Sequence, residues 1–221
     1  MFFTVPDVLK AADISRATKK AATLDWIDGR ITAGHSARVV KSNLQADLKT
    51  LAGQGLHDFL MNAISSNKTV RSFARPKQFS RLLLSKTENS GHYGFHVDNA
   101  IMGSDGKQLR TDLSFTLFLS DPSSYEGGEL NLMTSAGDFE AKPAAGTLIL
   151  YPSGSIHQVK PVTSGMRLAC VGWIESRIQR ADQREILVDL ESVRATMPKT
   201  SVEQRLVLDK TISNLIRMWA S

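Results

Sequence analysis

Hydrophobic positions along the chain change their period twice. In "GQGLHDFLMNAISSN", Leu56, Phe59, Leu60, Ala63 and Ile64 recur at steps of three and four, which predicts a helix with one apolar face. "PDVLKAADISRATKKAATLDWI" opens with a proline in the first-turn position, so the N-terminal third is expected to be largely helical. From about residue 69 the runs shorten. "TVRSFA", "FSRLLLS", "YGFHVD", "LSFTLFLS", "ELNLMT" and "GTLILY" are β-rich and separated by Gly, Pro, Asn and Ser clusters. Strands this short and this closely spaced predict a sandwich or barrel, not a parallel sheet with crossover helices. "IHQVKPVTSGMRLACVGWI", from Ile156, reads as two strands joined by a turn at Thr163, Ser164 and Gly165, with His157 on one arm and Arg167 on the other.

After Trp173 the helical period returns through Ile186, Leu187, Leu190, Val193 and Met197 until Pro198 interrupts it. "TSVE", Thr200 to Glu203, then has capping-box form ahead of Leu208, Ile212, Leu215 and Trp219. The chain thus divides into a helical and strand support region over 1–78, a β-rich core over 79–177 and a helical extension over 178–221. The extension is expected to cover the core or to form a subunit contact, with its apolar stripe packing internally.

With 221 residues, 42% of them hydrophobic, the chain can bury one substantial core. Its net charge of +5 comes from 27 Lys and Arg that never form a dense run, so nucleic-acid binding is not expected, whereas a small anionic molecule needs far less. Cys170 is the sole cysteine, which excludes an internal disulfide and a thiol-rich zinc site, and "LACVGW" makes it a buried strand residue. Any metal must be held by His and carboxylate. The N-terminus has the wrong order of charge and apolar residues for a secretory signal, and no apolar run approaches the ~20 residues of a membrane span. The expectation is a cytoplasmic protein with no membrane partner.

Candidate chemistry centres on "YGFHVDNA", residues 93 to 100. In a strand, positions i and i+2 leave the same face, so His96 and Asp98 could share a metal ion. His157 follows about 60 residues later, on a strand that a jelly roll can bring alongside. Two histidines and one carboxylate match by type the facial set of non-heme Fe(II) oxygenases, which leaves positions open for other ligands. Arg167, ten residues after His157, supplies a fixed positive charge. A cosubstrate such as 2-oxoglutarate would chelate iron through its 2-oxo and C1 carboxylate groups, and a guanidinium could pair with the remaining C5 carboxylate. Taken singly, Asp98 could be a turn acid before Asn99 and Arg167 a surface charge; their joint occurrence favours the metal site. His35 and His57 are expected to be packed or hydrogen-bonded, and His92 to be a rim residue and not a fourth ligand. Gly127 and Gly128 are expected to serve turn geometry.

"HYGFHVD", "YEGGEL", "GTLILYPSGSIHQVKPVTSGMR" and the helical tail resemble the bacterial PKHD-type hydroxylases, Fe(II)/2-oxoglutarate-dependent dioxygenases related to prolyl hydroxylases. The resemblance extends to "RPKQFSRLLLS" and covers nearly the whole chain. It implies an α+β fold: a double-stranded β-helix (jelly-roll, cupin-like) core with N-terminal and C-terminal helices. It also implies that residues 79–177 are the dioxygenase core, that His96, Asp98 and His157 hold Fe(II), and that Arg167 binds the C5 carboxylate. Tyr93, three residues before the first ligand, would lie near the cosubstrate. The implied reaction consumes O2 and 2-oxoglutarate, releases succinate and CO2 and hydroxylates an unidentified substrate, with ascorbate as a reductant. A homo-oligomer and a link to bacterial iron uptake are implied at family level only. Two other readings remain at this point. One is a non-catalytic cupin-like metal-binding or sensor module. The other is a nucleic-acid dealkylating oxygenase, against which Trp173 counts, because those enzymes carry a second arginine six residues after the first.

Overall fold

The computed structural model describes residues 2–32, 34–103, 108–135 and 137–221; the side chains of His35 and Ser36, and with them the expectation for His35, lie outside the described residues. Among the described residues, the N-terminal third holds the α-helices α1 (Ala11–Ala21), the short α2 (His35–Val39), α3 (Leu51–Ser66) and α4 (Lys68–Ala74). Thr50 caps α3 by accepting from the Gly53 N–H at 3.1 Å, and Leu56, Leu60 and Ile64 are fully buried on one face, as their spacing predicts. Each such side chain contributes about 1.5–3 kcal/mol.

Two local expectations fail in this region. "TVRSFA" is helix α4 and not a strand, because the Asn67 side chain accepts from the N–H groups of Thr69 and Val70 at 3.0 and 3.1 Å. That cap turns Val70, Phe73 and Ala74 onto one buried face, which outweighs the β preference of Thr69 and Val70. Pro6 does not open a helix either. Residues Phe3–Val5 are drawn into a sheet as strand β1, so α1 starts only at Ala11 with Lys10 in the N-cap position. Strands β2 (Trp26–Asp28), β3 (Lys41–Ser42) and β4 (Leu44–Ala46) interrupt the helices further.

Two antiparallel sheets form the core. The nine-stranded sheet runs β1, β14 (Leu148–Pro152), β10 (Leu113–Phe118), β16 (Val162–Ser176), β6 (Leu83–Glu88), β4, β2, with β5 (Pro76–Phe79) and β11 (Tyr125–Gly127) also pairing with β16. The five-stranded sheet runs β13 (Gly137–Ala141), β12 (Leu130–Thr134), β15 (His157–Val159), β7 (His92–His96), β3. A further pair joins β8 (Ile101–Met102) and β9 (Leu109–Arg110). The larger sheet packs Leu84, Leu113, Phe115, Leu117, Leu148, Leu150 and Cys170 against α1, α3 and α4, so the reading of Cys170 as a buried strand residue holds. Its opposite face and the smaller sheet enclose a cavity.

The expected hairpin between His157 and Arg167 is absent. Pro161, which has no N–H for a ladder, ends the β15 pairing, and the chain crosses into the larger sheet at β16. Thr163, Ser164 and Gly165 lie inside β16, where Glu126 and Tyr125 pair with Ser164 and Gly165. His157 and Arg167 therefore approach the cavity from opposite sheets.

The tail forms α5 (Ala181–Thr196) and α6 (Val202–Trp219), which bury Leu187 and Ile212 with Ile178 and enclose Leu190, Leu208, Leu215 and Trp219. Arg75 ties α5 to the end of α4 through Glu191 at 2.7 Å. The capping box at Thr200 is displaced: Ser201 takes the N-cap position, and no side-chain cap bond forms. Among the described residues no helix is long and apolar enough to cross a membrane.

Candidate active site

His96 and His157 face each other across β7 and β15, directly paired, with ring centroids 4.2 Å apart. Asp98 follows the end of β7, outside the hydrogen-bonded ladder that the i, i+2 expectation assumed. Alternation nevertheless persists: Phe95 and Val97 are each 48% exposed while His96 and Asp98 turn inward. Asp98 Oδ1 lies 3.9 Å from His96 Nε2 and Oδ2 3.7 Å from His157 Nε2, and one donor atom from each residue falls within 4.8 Å of the others. Those separations are too long for hydrogen bonds and short enough for one ion to reach all three.

The protonation pattern suits a cation. His96 Nδ1 sits 2.8 Å from Gly94 O and His157 Nδ1 3.0 Å from Ser155 O. A carbonyl oxygen only accepts, so both Nδ1 atoms carry a proton, and Nε2 is the ring nitrogen that faces the site. Burial, and then the neighbouring His157, pull His96 down to about 4, which keeps it neutral. Ser114 donates to Asp98 Oδ2 at 2.6 Å and lies 2.8 Å from Ser153 Oγ. One hydroxyl carries one proton, so Ser153 donates to Ser114 in turn.

Tyr93 reaches the same face through a β-bulge. Val159 pairs with Tyr93 and His157 with His96, so two steps on β15 match three on β7. The extra residue puts Tyr93 and His96 on one side, where their rings stack at 3.6 Å. Burial, then the Asp98 charge, raise the Tyr93 hydroxyl pKa above its usual range. Lys41, paired with Tyr93 from β3, holds its Nζ 4.8 Å from the same ring, and burial lowers its pKa to about 8.

Arg167 enters from β16. It is 2% exposed, its guanidinium lies 5.0 Å from the Phe118 ring, and its Nε and Nη2 have no hydrogen-bond partner among the described residues. Burial is the main force lowering its pKa, but a guanidinium stays charged in a protein. Gly128, at φ +68°, leaves space for its stem: a Cβ there would sit 3.0 Å from Arg167 Cδ and 2.8 Å from Val162 Cγ2. Gly127, at φ +73°, lies against Pro161 O, so both glycines serve the turn as expected. Tyr93, His96, Asp98, His157 and Arg167 all line one cavity of about 1260 Å³. Three convergent donors with two unpartnered nitrogens on a buried guanidinium fit a metal ion and a carboxylate ligand together.

His92 stands apart from this cluster, with Nδ1 3.2 Å from Ser90 O, and His57 bonds Asp58 at 2.9 Å on α3. Sequence reasoning missed Ser114, Lys41 and Tyr151, whose ring edge meets His157 at 5.0 Å. Ser114 and Thr116 had a signal: they alternate with the apolar residues of "LSFTLF", a polar face inside a strand that is buried throughout.

The family model of the 2OG-Fe(II) oxygenase superfamily matches residues 79–175. A PKHD-type hydroxylase of Hyphomonas neptunium is 46% identical over 200 residues, 89% of each chain. The chain belongs to the PKHD-type hydroxylases. As a member of that family it is a dioxygenase that uses Fe(II), 2-oxoglutarate and O2, and the non-catalytic sensor reading lapses. Solved structures share its jelly-roll fold. A Pseudomonas putida prolyl-4-hydroxylase superposes with TM-score 0.51 at 20% identity, covering 80% of this chain and 92% of its own. HygX of Streptomyces hygroscopicus, solved with nickel, 2-oxoglutarate and hygromycin B, gives 0.57 at 13% identity, covering 79% and 82%.

Proposed function

We propose that His96, Asp98 and His157 hold the iron, that Arg167 binds the C5 carboxylate of 2-oxoglutarate with Tyr93 beside it, and that the enzyme hydroxylates a C–H bond of its substrate. The observation that carries this reading is the convergence of three metal-type donors and a buried, half-unpartnered guanidinium on one cavity. When bound, iron and cosubstrate supply the oxidising chemistry: 2-oxoglutarate loses CO2, one atom of O2 enters succinate and the other enters the substrate.

The chain's own contribution is positional. The carbonyls of Gly94 and Ser155 hold a proton on each Nδ1, which leaves Nε2 as the ring atom that can take a cation. Ser114 steers the Asp98 carboxylate and, through Ser153, keeps that orientation. Arg167 offers parallel N–H groups to a carboxylate edge in a site shielded from water, where a paired charge is held more strongly than at the surface.

Anaerobic addition of Fe(II) and 2-oxoglutarate is expected to give a weak visible charge-transfer band, and oxygen to yield succinate. His157→Ala is expected to abolish both. Iron binding of wild-type strength in that variant overturns the ligand assignment.

A further inference from the structure

The cavity holds a second buried cation that the proposed reaction does not use. Lys41 is 6% exposed and lines the same cavity as the triad and Arg167. Its Nζ donates to Thr32 Oγ1 at 3.2 Å and stands over the Tyr93 ring. An ammonium has three N–H donors, and one acceptor does not satisfy it. Among the described residues no carboxylate oxygen comes within the 4.0 Å of an ion pair. The two acids whose charge it feels are already engaged. Asp28 takes the Arg30 side chain at 2.8 and 3.0 Å, and Asp98 faces both histidines and Ser114. Thr32 is itself fixed, donating to Gln45 Oε1 at 2.7 Å, so the ammonium is held in place.

A buried charge without a counter-ion is costly, and an anion entering the cavity would remove that cost. The cosubstrate is not that anion in the assignment above, because Arg167 takes one of its carboxylates and the metal site the other. Volume allows a second occupant: about 1260 Å³ exceeds the roughly 300–1,000 Å³ of a typical single-ligand site. We propose that Lys41 anchors a carboxylate group of the substrate, so that one cavity carries separate cations for its two organic reactants. The inference rests on the assignment of Arg167 to 2-oxoglutarate.

The test uses the full chain loaded anaerobically with Mn(II) and saturated with 2-oxoglutarate, both measured before any probe is added. Acetate, N-acetylglycine and benzoate, each beside its primary amide, are titrated while the metal-induced relaxation of probe protons is read by NMR. At least one carboxylate is expected to bind saturably and its amide not. Lys41→Met and Lys41→Gln are expected to weaken that binding at least tenfold and to change 2-oxoglutarate affinity less than twofold. Equal binding of acid and amide, no saturable carboxylate, or undiminished binding in both variants overturns the inference. So does a parallel loss of 2-oxoglutarate affinity, which would give Lys41 to the cosubstrate. A wild-type chain that takes up neither Mn(II) nor 2-oxoglutarate overturns the functional reading first, and is recognised at the loading step.

Discussion

The two sheets around the cavity differ in packing, and the assigned chemistry divides along the same line. In the larger sheet, helices cover the outer face, so Leu113, Phe115, Leu117 and Cys170 are 1% exposed or less. In the smaller sheet the outer face meets solvent, with Phe95 at 48% and Met133 at 45%. Arg167, a permanent charge, extends from the larger sheet, while the imidazoles of His96 and His157 extend from the smaller. A guanidinium has to meet a planar carboxylate edge-on, so its stem benefits from a base that cannot move. A metal ion draws its own ligands together, since binding energy and ordering of the site are coupled.

The sharpest way to break this division is to remove ligands on each side and ask whether the two losses stay separate. Asp98→Ala carries the largest expected effect. Metal affinity should fall by more than about 100-fold, beyond the 10–100-fold typical of losing an outer partner, and succinate formation should reach background. Equilibrium dialysis with Mn(II) checks it. Next comes Arg167→Ala, which leaves a bound carboxylate unpaired in a buried site. Such truncations cost about 2–5 kcal/mol, or roughly 30-fold to a few thousand-fold in 2-oxoglutarate affinity, with metal affinity unchanged. Loss of metal binding in the arginine variant would join the two sheets into one unit and end the comparison.

Much of the proposed site is legible in the sequence, because its chemistry restricts residue type. In the proposed assignment iron without thiolates needs imidazole and carboxylate, and a buried dicarboxylate needs a guanidinium, so His96, Asp98, His157 and Arg167 stood out by residue type and joint occurrence together with the family resemblance. The β core was legible in the short alternating runs. What stayed hidden depended on competition between local and distant contacts. Asn67 capped "TVRSFA" into a helix against the preference of its β-branched residues. Pro161 sent the chain to the other sheet where turn-type residues suggested a hairpin. The bulge that brings Tyr93 beside His96 is a register property of two strands, invisible in either one. Lys41 shares its composition with any surface lysine, and only burial sets it apart.

Ser114 bears on both sheets, because this residue belongs to the larger sheet yet bonds Asp98, which follows the last strand residue of β7 in the smaller one. Ser114→Ala removes the proton donor to Asp98 and leaves Ser153 without its acceptor. A loss of roughly 1–1.5 kcal/mol is expected for the bond, about tenfold in metal affinity, with 2-oxoglutarate affinity nearly unchanged. Ser114→Thr, which keeps the hydroxyl, should recover most of the metal affinity, and a variant as weak as Ser114→Ala would take the hydrogen bond out of this role.

The smallest effect on the site is expected from the tail. Ile212 is 7% exposed and packs with Leu187 and Ile178 in a cluster that shares no residue with the one behind the larger sheet. Ile212→Ala should cost about 2 kcal/mol, the low end for such truncations, because much of the surrounding helix surface is already hydrated. Amide hydrogen exchange should then quicken in α5 and α6 while β10 and β16 keep their protection, even though Val188 of α5 packs against the core behind the larger sheet. Affinities for Mn(II) and 2-oxoglutarate should stay within twofold of wild type. A fall in 2-oxoglutarate affinity matching the loss of tail stability would mean that the Arg75–Glu191 contact transmits strain through α4 to the larger sheet. The rigidity of the arginine's base would then depend on the tail as well as on the helices that cover it.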